Sequence, residues 1–371
     1  MYYCYFFYKE KYIYMNELNI NDKRTQKEFR GITFSQYKKT DVKKQLLNSL
    51  FSGVLEEACY WSAEFICAGH FAELWEIILH FIGKNIHLGN PKLPIYIELR
   101  YEEFKNIVNK GYINNEIKMR NNQDVRKLFA EIICVLCNSH KRNPLSNIKI
   151  DPKDFNLQNL TGKLKANSLD YGKKVFKTKD PKDLFIAINE FMYNISKPIN
   201  NITVAYWWLE WILAYETTCK KNKKNILKAE RRSNMPVSNN FQLDIIWIIW
   251  EGILHESVNR GRGITKLLKS LLNTFCMRYS SGTKKKRRFL IYFAISLILL
   301  PIDLNIKIIE GESQIQKIKK GINVIYKQIK KNEIQPKTGY LFNNLNAGNL
   351  EKTVAKLDIM NKLNGFIPRS N

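Results

Sequence analysis

The sequence predicts an all-α protein in which one helical unit is used twice, followed by a C-terminal amphipathic helix. Large apolar residues recur at intervals of three and four, in runs of ten or more residues without internal Gly or Pro. Two of these blocks return later in the chain in the same order.

The repeat is legible residue by residue. Ala58-Cys-Tyr-Trp-Ser-Ala-Glu-Phe-Ile-Cys-Ala68 aligns with Val204-Ala-Tyr-Trp-Trp-Leu-Glu-Trp-Ile-Leu-Ala214, pairing Tyr60 with Tyr206, Trp61 with Trp207 and Glu64 with Glu210. Behind each stands Trp-Glu-x-Ile-Leu-His, at Trp75–His80 and Trp250–His255. A looser third match sets Arg126–Cys137 beside Arg288–Leu300. The second copy carries a longer, basic insertion between its first two blocks, from Thr217 to Asn240.

Taken in order, residues 1–40 read as a partly disordered leader, with residues 1–14 non-structural and no small-residue cleavage site behind them. Unit 1 spans 41–150. Asp41 is a plausible N-cap for a helix over Val42–Phe51, Gly53 terminates it, and Asn90-Pro91 with Leu93-Pro94 marks a loop before a helix at Ile95–Val108. Residues 151–180 are polar and aperiodic, a linker. Unit 2 spans 181–305 and opens at Asp180-Pro181, with Pro at the first turn of a helix over Lys182–Ile195. Beyond Pro301, Ile315, Ile318, Ile322, Ile325 and Ile329 form one stripe of an amphipathic helix over Gln314–Lys331. The rest, to residue 371, is loose until Leu350–Leu363.

The chain of 371 residues carries a formal net charge of +26 and a pI near 9.6, which predicts attraction to polyanions. Codon bias toward Lys, Asn, Ile and Tyr competes as an explanation of the bulk charge but not of its clustering. The odd cysteine count, seven, with most in apolar stretches, points to reduced thiols. The longest uncharged apolar run, Phe289–Ile302, is fourteen residues, short of the roughly 20 needed to cross a bilayer. It reads as a buried core helix, and no membrane span is expected.

No catalytic centre can be assembled and no cofactor is expected. A glycine-rich loop ending in Gly-Lys-Ser/Thr is absent. Cys134-x-x-Cys137 with His140 has the look of a zinc half-site, but its apolar neighbours and the missing second pair favour two buried thiols. His80 and His255 lack a nucleophile or partner base and read as core-helix histidines. Glu64 and Glu210 read as half-buried carboxylates that each need a donor.

Basic segments are the strongest functional lead. Ser257–Ile302 holds no acidic residue and ten basic ones: Arg260, Arg262, Lys266, Lys269, Arg278, Lys284, Lys285, Lys286, Arg287 and Arg288. The run Lys284–Arg288 precedes an apolar helix, where positive charge opposes the helix dipole. A bridging phosphate would relieve that conflict; a solvated loop or a nuclear-localisation-like run is the bland alternative. Lys220, Lys221, Lys223, Lys224, Lys228, Arg231 and Arg232 of the insertion extend the candidate surface.

Ala58-Cys-Tyr-Trp61, Ala68-Gly69 and Lys84-Asn-Ile-His-Leu-Gly-Asn-Pro91 resemble the helical collar of clamp-loader-clade AAA+ proteins of the RarA/Werner-helicase-interacting-protein type, over about 100 residues. Lys84-Asn85 replaces that family's acidic pair. The resemblance implies homo-oligomeric assembly without ATP hydrolysis. Through Ala229-Glu-Arg-Arg232, Asp244–Glu251 and Tyr326–Glu333 the whole chain also resembles uncharacterised proteins of nucleocytoplasmic large DNA viruses, which implies a host-cytoplasmic viral factory or a virion as its location. The expected function is a non-enzymatic, oligomerising scaffold that contacts nucleic acid through a basic face of unit 2, in viral replication or repair. The alternative is a virion or assembly protein contacting acidic partners or packaged genome.

Overall fold

A computed structural model describes residues 18–113, 115–222, 226–334 and Leu357. It is about 65 % helical and has no strand or sheet among the described residues. The longer helices are α1 (Lys39–Ser52), α2 (Leu55–Cys67), α3 (Phe71–Phe81), α4 (Leu93–Asn109), α5 (Gln123–Asn138), α6 (Phe185–Ile195), α7 (Ile202–Lys221), α8 (Ile246–Ser257), α9 (Arg262–Cys276), α10 (Arg288–Leu299) and α11 (Glu312–Lys330). The all-α expectation holds.

Local signals account for the helix ends. Asn122 caps α5 by accepting from the N–H groups of Asp124 and Val125, and Asn201 caps α7 through Val204. Gly53 closes α1 at φ 73°, its N–H bonded to the Ser49 carbonyl. Asp41 is not the N-cap: α1 begins at Lys39, which leaves Asp41 in the first turn, where its charge still suits the dipole.

In the first half, α1 packs on α2, α3 and α5, α2 also on α3 and α5, and α4 on α5. In the second half, α6 packs on α7, α8 and α10, α7 also on α10, and α9 on α8 and α10. Matching α1–α5 to α6–α10 in order makes most of these packings correspond. Trp75 of the first Trp-Glu motif sits edge-on to Tyr101 and against Phe104 of α4; Trp250 of the second Trp-Glu motif packs on Phe275 of α9.

Two segments lie differently from the sequence expectation. Residues 18–38, read as leader, pack on the first half: Phe29 and Phe34 are fully buried, and Arg24 pairs with Asp22 between their rings and the end of α11. Residues 151–180, read as linker, lie against the second half, where Trp211 donates to the Asp154 carbonyl and Glu190 accepts from the Lys165 and Ala166 N–H groups. Helix α11 belongs to the first half. It packs on α5 and α2 and buries Ile315, Ile322, Tyr326 and Ile329, one side of the expected stripe. The expected order over Leu350–Leu363 falls outside the described residues except at Leu357.

The halves join through α4 on α9, and through α3 and the π-helical turn Ile82–Ile86 on α10. At that turn a Cβ on Gly83 would lie 2.8 Å from the Phe289 carbonyl carbon and 2.9 Å from the Leu290 nitrogen, so glycine is what lets the backbones meet. No described helix is long and apolar enough to cross a membrane.

Candidate polyanion-binding surface

The run Lys284–Arg288 does not present one basic face. Residues Thr283–Lys286 form a short turn that directs Lys284 inward, where its side chain is 2 % exposed. Its ammonium donates to Glu216 at 2.7 Å and Asp244 at 2.6 Å, and Tyr279 donates to the other Asp244 oxygen. Arg287 is also buried. Its guanidinium donates to the carbonyls of Phe275 and Met277 and pairs with Glu76 at 2.5 Å. Arg288 pairs with Glu210 at 3.0 Å. Lys285 and Lys286 are exposed.

The dipole conflict at the start of α10 is therefore resolved internally. Arg287, badly placed for the N-terminus of α10, closes the C-terminus of α9, where a cation is favoured. Carboxylates of α3, α7 and the Asp244 turn take the place of the expected phosphate.

The insertion divides in the same way. Arg232 is fully buried, pairs with Asp180 and Glu251, and pins the insertion onto α8. With Arg287 on Glu76, the glutamates of both Trp-Glu motifs hold an arginine. Lys220 pairs with Glu216 at 2.7 Å; Lys221 and Arg231 are exposed. Lys223 and Lys224 lie outside the described residues. Lys220, Lys284, Lys285 and Arg288 do meet: burial, with the like charges of the other three, lowers the Lys285 pKa against the pull of Glu216. Since Glu210, Glu216 and Asp244 stand in the same cluster, little net charge is left there.

A second group is less compensated. On α9, Arg262, Lys266 and Lys269 recur at four and three, all exposed, while Leu267, Leu268, Leu271, Leu272 and Phe275 face the core. These three cations have no ion pair or side-chain hydrogen bond among the described residues. With Thr265, Ser270 and Asn273 they line a groove of about 540 Å³ beside α4. Glu98, at its edge, accepts from Asn273 at 2.6 Å. Arg260 is set apart: half-buried, it donates to Asn200 at 2.7 Å and ties α9's approach to the loop behind α6. All three belong to the acid-free basic stretch Ser257–Ile302, in which the run Lys284–Arg288 drew the emphasis. Their signal was the helical interval they share, opposite an unbroken apolar stripe.

The remaining candidates settle into the core or onto the surface. Cys134 and Cys137 are buried, with Cys134 Sγ 4.0 Å from Cys59 Sγ, while His140 is exposed. Burial pushes the Cys137 thiol up to about 12, and no metal-binding group of three His, Cys, Asp or Glu occurs among the described residues. His80 and His255 share a motif position but not an environment. His80 is half-buried edge-on to Phe289, and burial, then Lys84 and Lys43, lowers its pKa to about 4. His255 is exposed beside Glu256. Glu64, fully buried, accepts from the N–H and hydroxyl of Ser35 and, among the described residues, from no cation. Glu210 accepts from Arg288 and Tyr292, and burial raises its pKa against both.

No family model, curated protein or solved structure matches the chain.

Proposed function

We propose that the chain is a helical scaffold that binds a polyanion, nucleic acid first, along α9. The supporting observation is the row Arg262, Lys266, Lys269: three exposed cations on one face, lining a groove, with no carboxylate of the described chain assigned to them. Holding like charges in a row costs free energy that an extended chain of phosphates recovers, with release of condensed counterions. The rise of about 1.5 Å per residue separates Arg262 from Lys266 by about 6 Å along the axis, close to the spacing of successive phosphates on one strand. Contacts from this row to phosphates carry no sequence information, so the binding proposed is sequence-independent.

The scaffold reading extends to assembly. Helices that correspond between the halves, α4 and α9, pack on each other, as equivalent surfaces do across a two-fold dimer. This supports duplication of one unit whose pairing surface is satisfied within a single chain. A solution mass near 43.8 kDa is then expected, in place of the homo-oligomer that the collar resemblance implies.

Anisotropy titrations of labelled single- and double-stranded DNA over a salt series test the binding proposal. Replacing Arg262, Lys266 and Lys269 together by Ala should weaken binding uniformly across sequences and reduce the slope of log K against log salt by about 2–3 for duplex. An unchanged slope in that variant rejects the α9 site.

A further inference from the structure

Helix α11 carries a second row of cations, on the first half of the molecule. Its buried side is Ile315, Ile322, Tyr326 and Ile329, and the side opposite Ile322 presents Lys317, Lys320, Val324, Lys327 and Lys331, all exposed. None of these four lysines has an ion pair or side-chain hydrogen bond among the described residues, whereas Lys319, on the flank, pairs with Glu131. From Ser313 to Asn332 the sequence holds no acidic residue. Lysines three and four apart, Lys317 with Lys320 and Lys327 with Lys331, repel each other along the helix. On α4 the chain answers such charge locally, pairing Arg100 with Glu103 and Lys105 with Glu102. On α11 it does not. Lys317 is the least available of the four, because it borders a groove whose α2 wall carries Glu56 and Glu57; Lys320, Lys327 and Lys331 do not line that groove.

The row is separate from the one on α9. Helix α11 packs on α5, α5 on α4 and α4 on α9. Two helices therefore stand between the rows, and α4 carries Glu98, Glu102 and Glu103. Along the α11 axis the four lysines step by about 4.5, 10.5 and 6 Å, about 21 Å in all. Over that length a duplex laid along the helix offers about six phosphates on each strand, and lysine stems are flexible enough to meet them. A bilayer of anionic lipid also displays phosphate, but the apolar side of α11 is spent on the core. Val324, 73 % exposed, is the apolar side chain left in the row, too little to enter a membrane interface. A second copy of the chain would set lysine against lysine.

We propose that the outer face of α11 is a second nucleic-acid-binding track, which takes the phosphate backbone of a duplex through Lys317, Lys320, Lys327 and Lys331 independently of α9. It extends the polyanion reading of the chain to a different site, so either site can fail alone. With both in place, one chain holds two duplexes.

Titrations of the full chain with a short labelled duplex over a salt series test it. They compare wild type, the α9 triple variant, an α11 variant with Lys317→Gln, Lys320→Gln, Lys327→Gln and Lys331→Gln together, and the two sets combined. Wild type should take up two duplexes, and the α9 and α11 variants one each. Adding the α11 set to the α9 variant should lower the slope of log K against log salt by about 3. The four lysines are exposed, so the variant keeps its core, which unchanged far-UV circular dichroism verifies. A slope that the α11 set leaves unchanged in the α9 background overturns the proposal. If wild type takes up one duplex, its loss in the α11 variant strikes the α9 site and upholds this one, whereas its loss in the α9 variant overturns this one. Binding to phosphatidylserine vesicles that needs the four lysines, with no duplex retained, also overturns it and assigns the row to a membrane.

Discussion

The guanidinium of Arg287 reaches both halves of the molecule: it donates at 2.7 Å to each of the Phe275 and Met277 carbonyls and pairs with Glu76 of α3. Removing it leaves buried carbonyls without donors and Glu76 without its cation. Arg287→Ala is expected to cost about 3–5 kcal/mol, or roughly 5 °C in thermal midpoint for a chain of this size. Arg287→Lys should recover less than half, since an ammonium cannot span the same three acceptors. Melts followed by circular dichroism decide both.

Lys284 makes a related prediction with a sharper control. Lys284→Ala removes the buried cation between Glu216 and Asp244, leaving Glu216 to Lys220 and Asp244 to Tyr279 and the Ile246 N–H, and should destabilise by about 3 kcal/mol, whereas the triple replacement Lys284→Met, Glu216→Gln, Asp244→Asn should cost less. Once corrected for the folded fraction, neither should change DNA affinity. A loss of affinity in the folded triple variant would return this turn to the binding surface.

His80 gives a pH prediction. Its pKa in the folded protein, about 4, lies below the ordinary 6.5, so the unfolded chain takes up the proton first. Its contribution to stability is complete above pH 6.5 and is lost as pH falls from 6.5 toward 4. His87, also lowered by burial, acts in the same direction. Urea midpoints of wild type and His80→Phe should therefore converge as pH rises through this window and separate in favour of the variant as it falls.

Arg126 is fully buried and has no carboxylate partner among the described residues; its guanidinium lies 4.1 Å from the Tyr326 ring centre and donates to the Arg120 carbonyl and the Asn323 side chain. Tyr326→Leu keeps most of the apolar contact and removes the ring face. It should cost about 1–2 kcal/mol through the lost cation–π interaction and loosen α11 locally, which hydrogen exchange along α11 would register.

Gly83→Ala drives a methyl into the backbone of Phe289 and Leu290. A loss of about 1–3 kcal/mol is expected, together with faster proteolysis of the second half. An unaltered melt would mean that the halves can shift apart without penalty.

What the sequence revealed depended on periodicity. The apolar rows at three and four gave the helices, because their signal is local and repeated; the stripe Ile315–Ile329 lay within two residues of its observed helix. The recurring motifs place Glu64, Glu210, Trp75 and Trp250 in the core, the two glutamates deeper than the half-buried positions expected of them, while Trp61 and Trp207 stay half-buried. The destination of each cation was not legible. Lys284 and Lys285 are neighbours of identical type, and what separates them is which one a turn aims at Glu216 and Asp244, residues 68 and 40 positions away. The same long range hid Arg232 behind Asp180 and made residues 18–38 look like a leader, since Phe29 and Phe34 are buried by elements remote in sequence.

Acidic side chains are outnumbered in this chain, 34 against 60, and several are committed inside it: Asp22, Asp180, Glu210 and Glu216 are all buried. Each holds a cation or a backbone donor, so these groups are neutralised where they stand, and exposed acids such as Asp41, Glu56 and Glu102 remain among the surface lysines and arginines. The far field felt by an approaching molecule is set by the net charge of +26. It should gather a dense cloud of small anions, and the protein's solubility and mobility should respond strongly to the kind of buffer anion supplied.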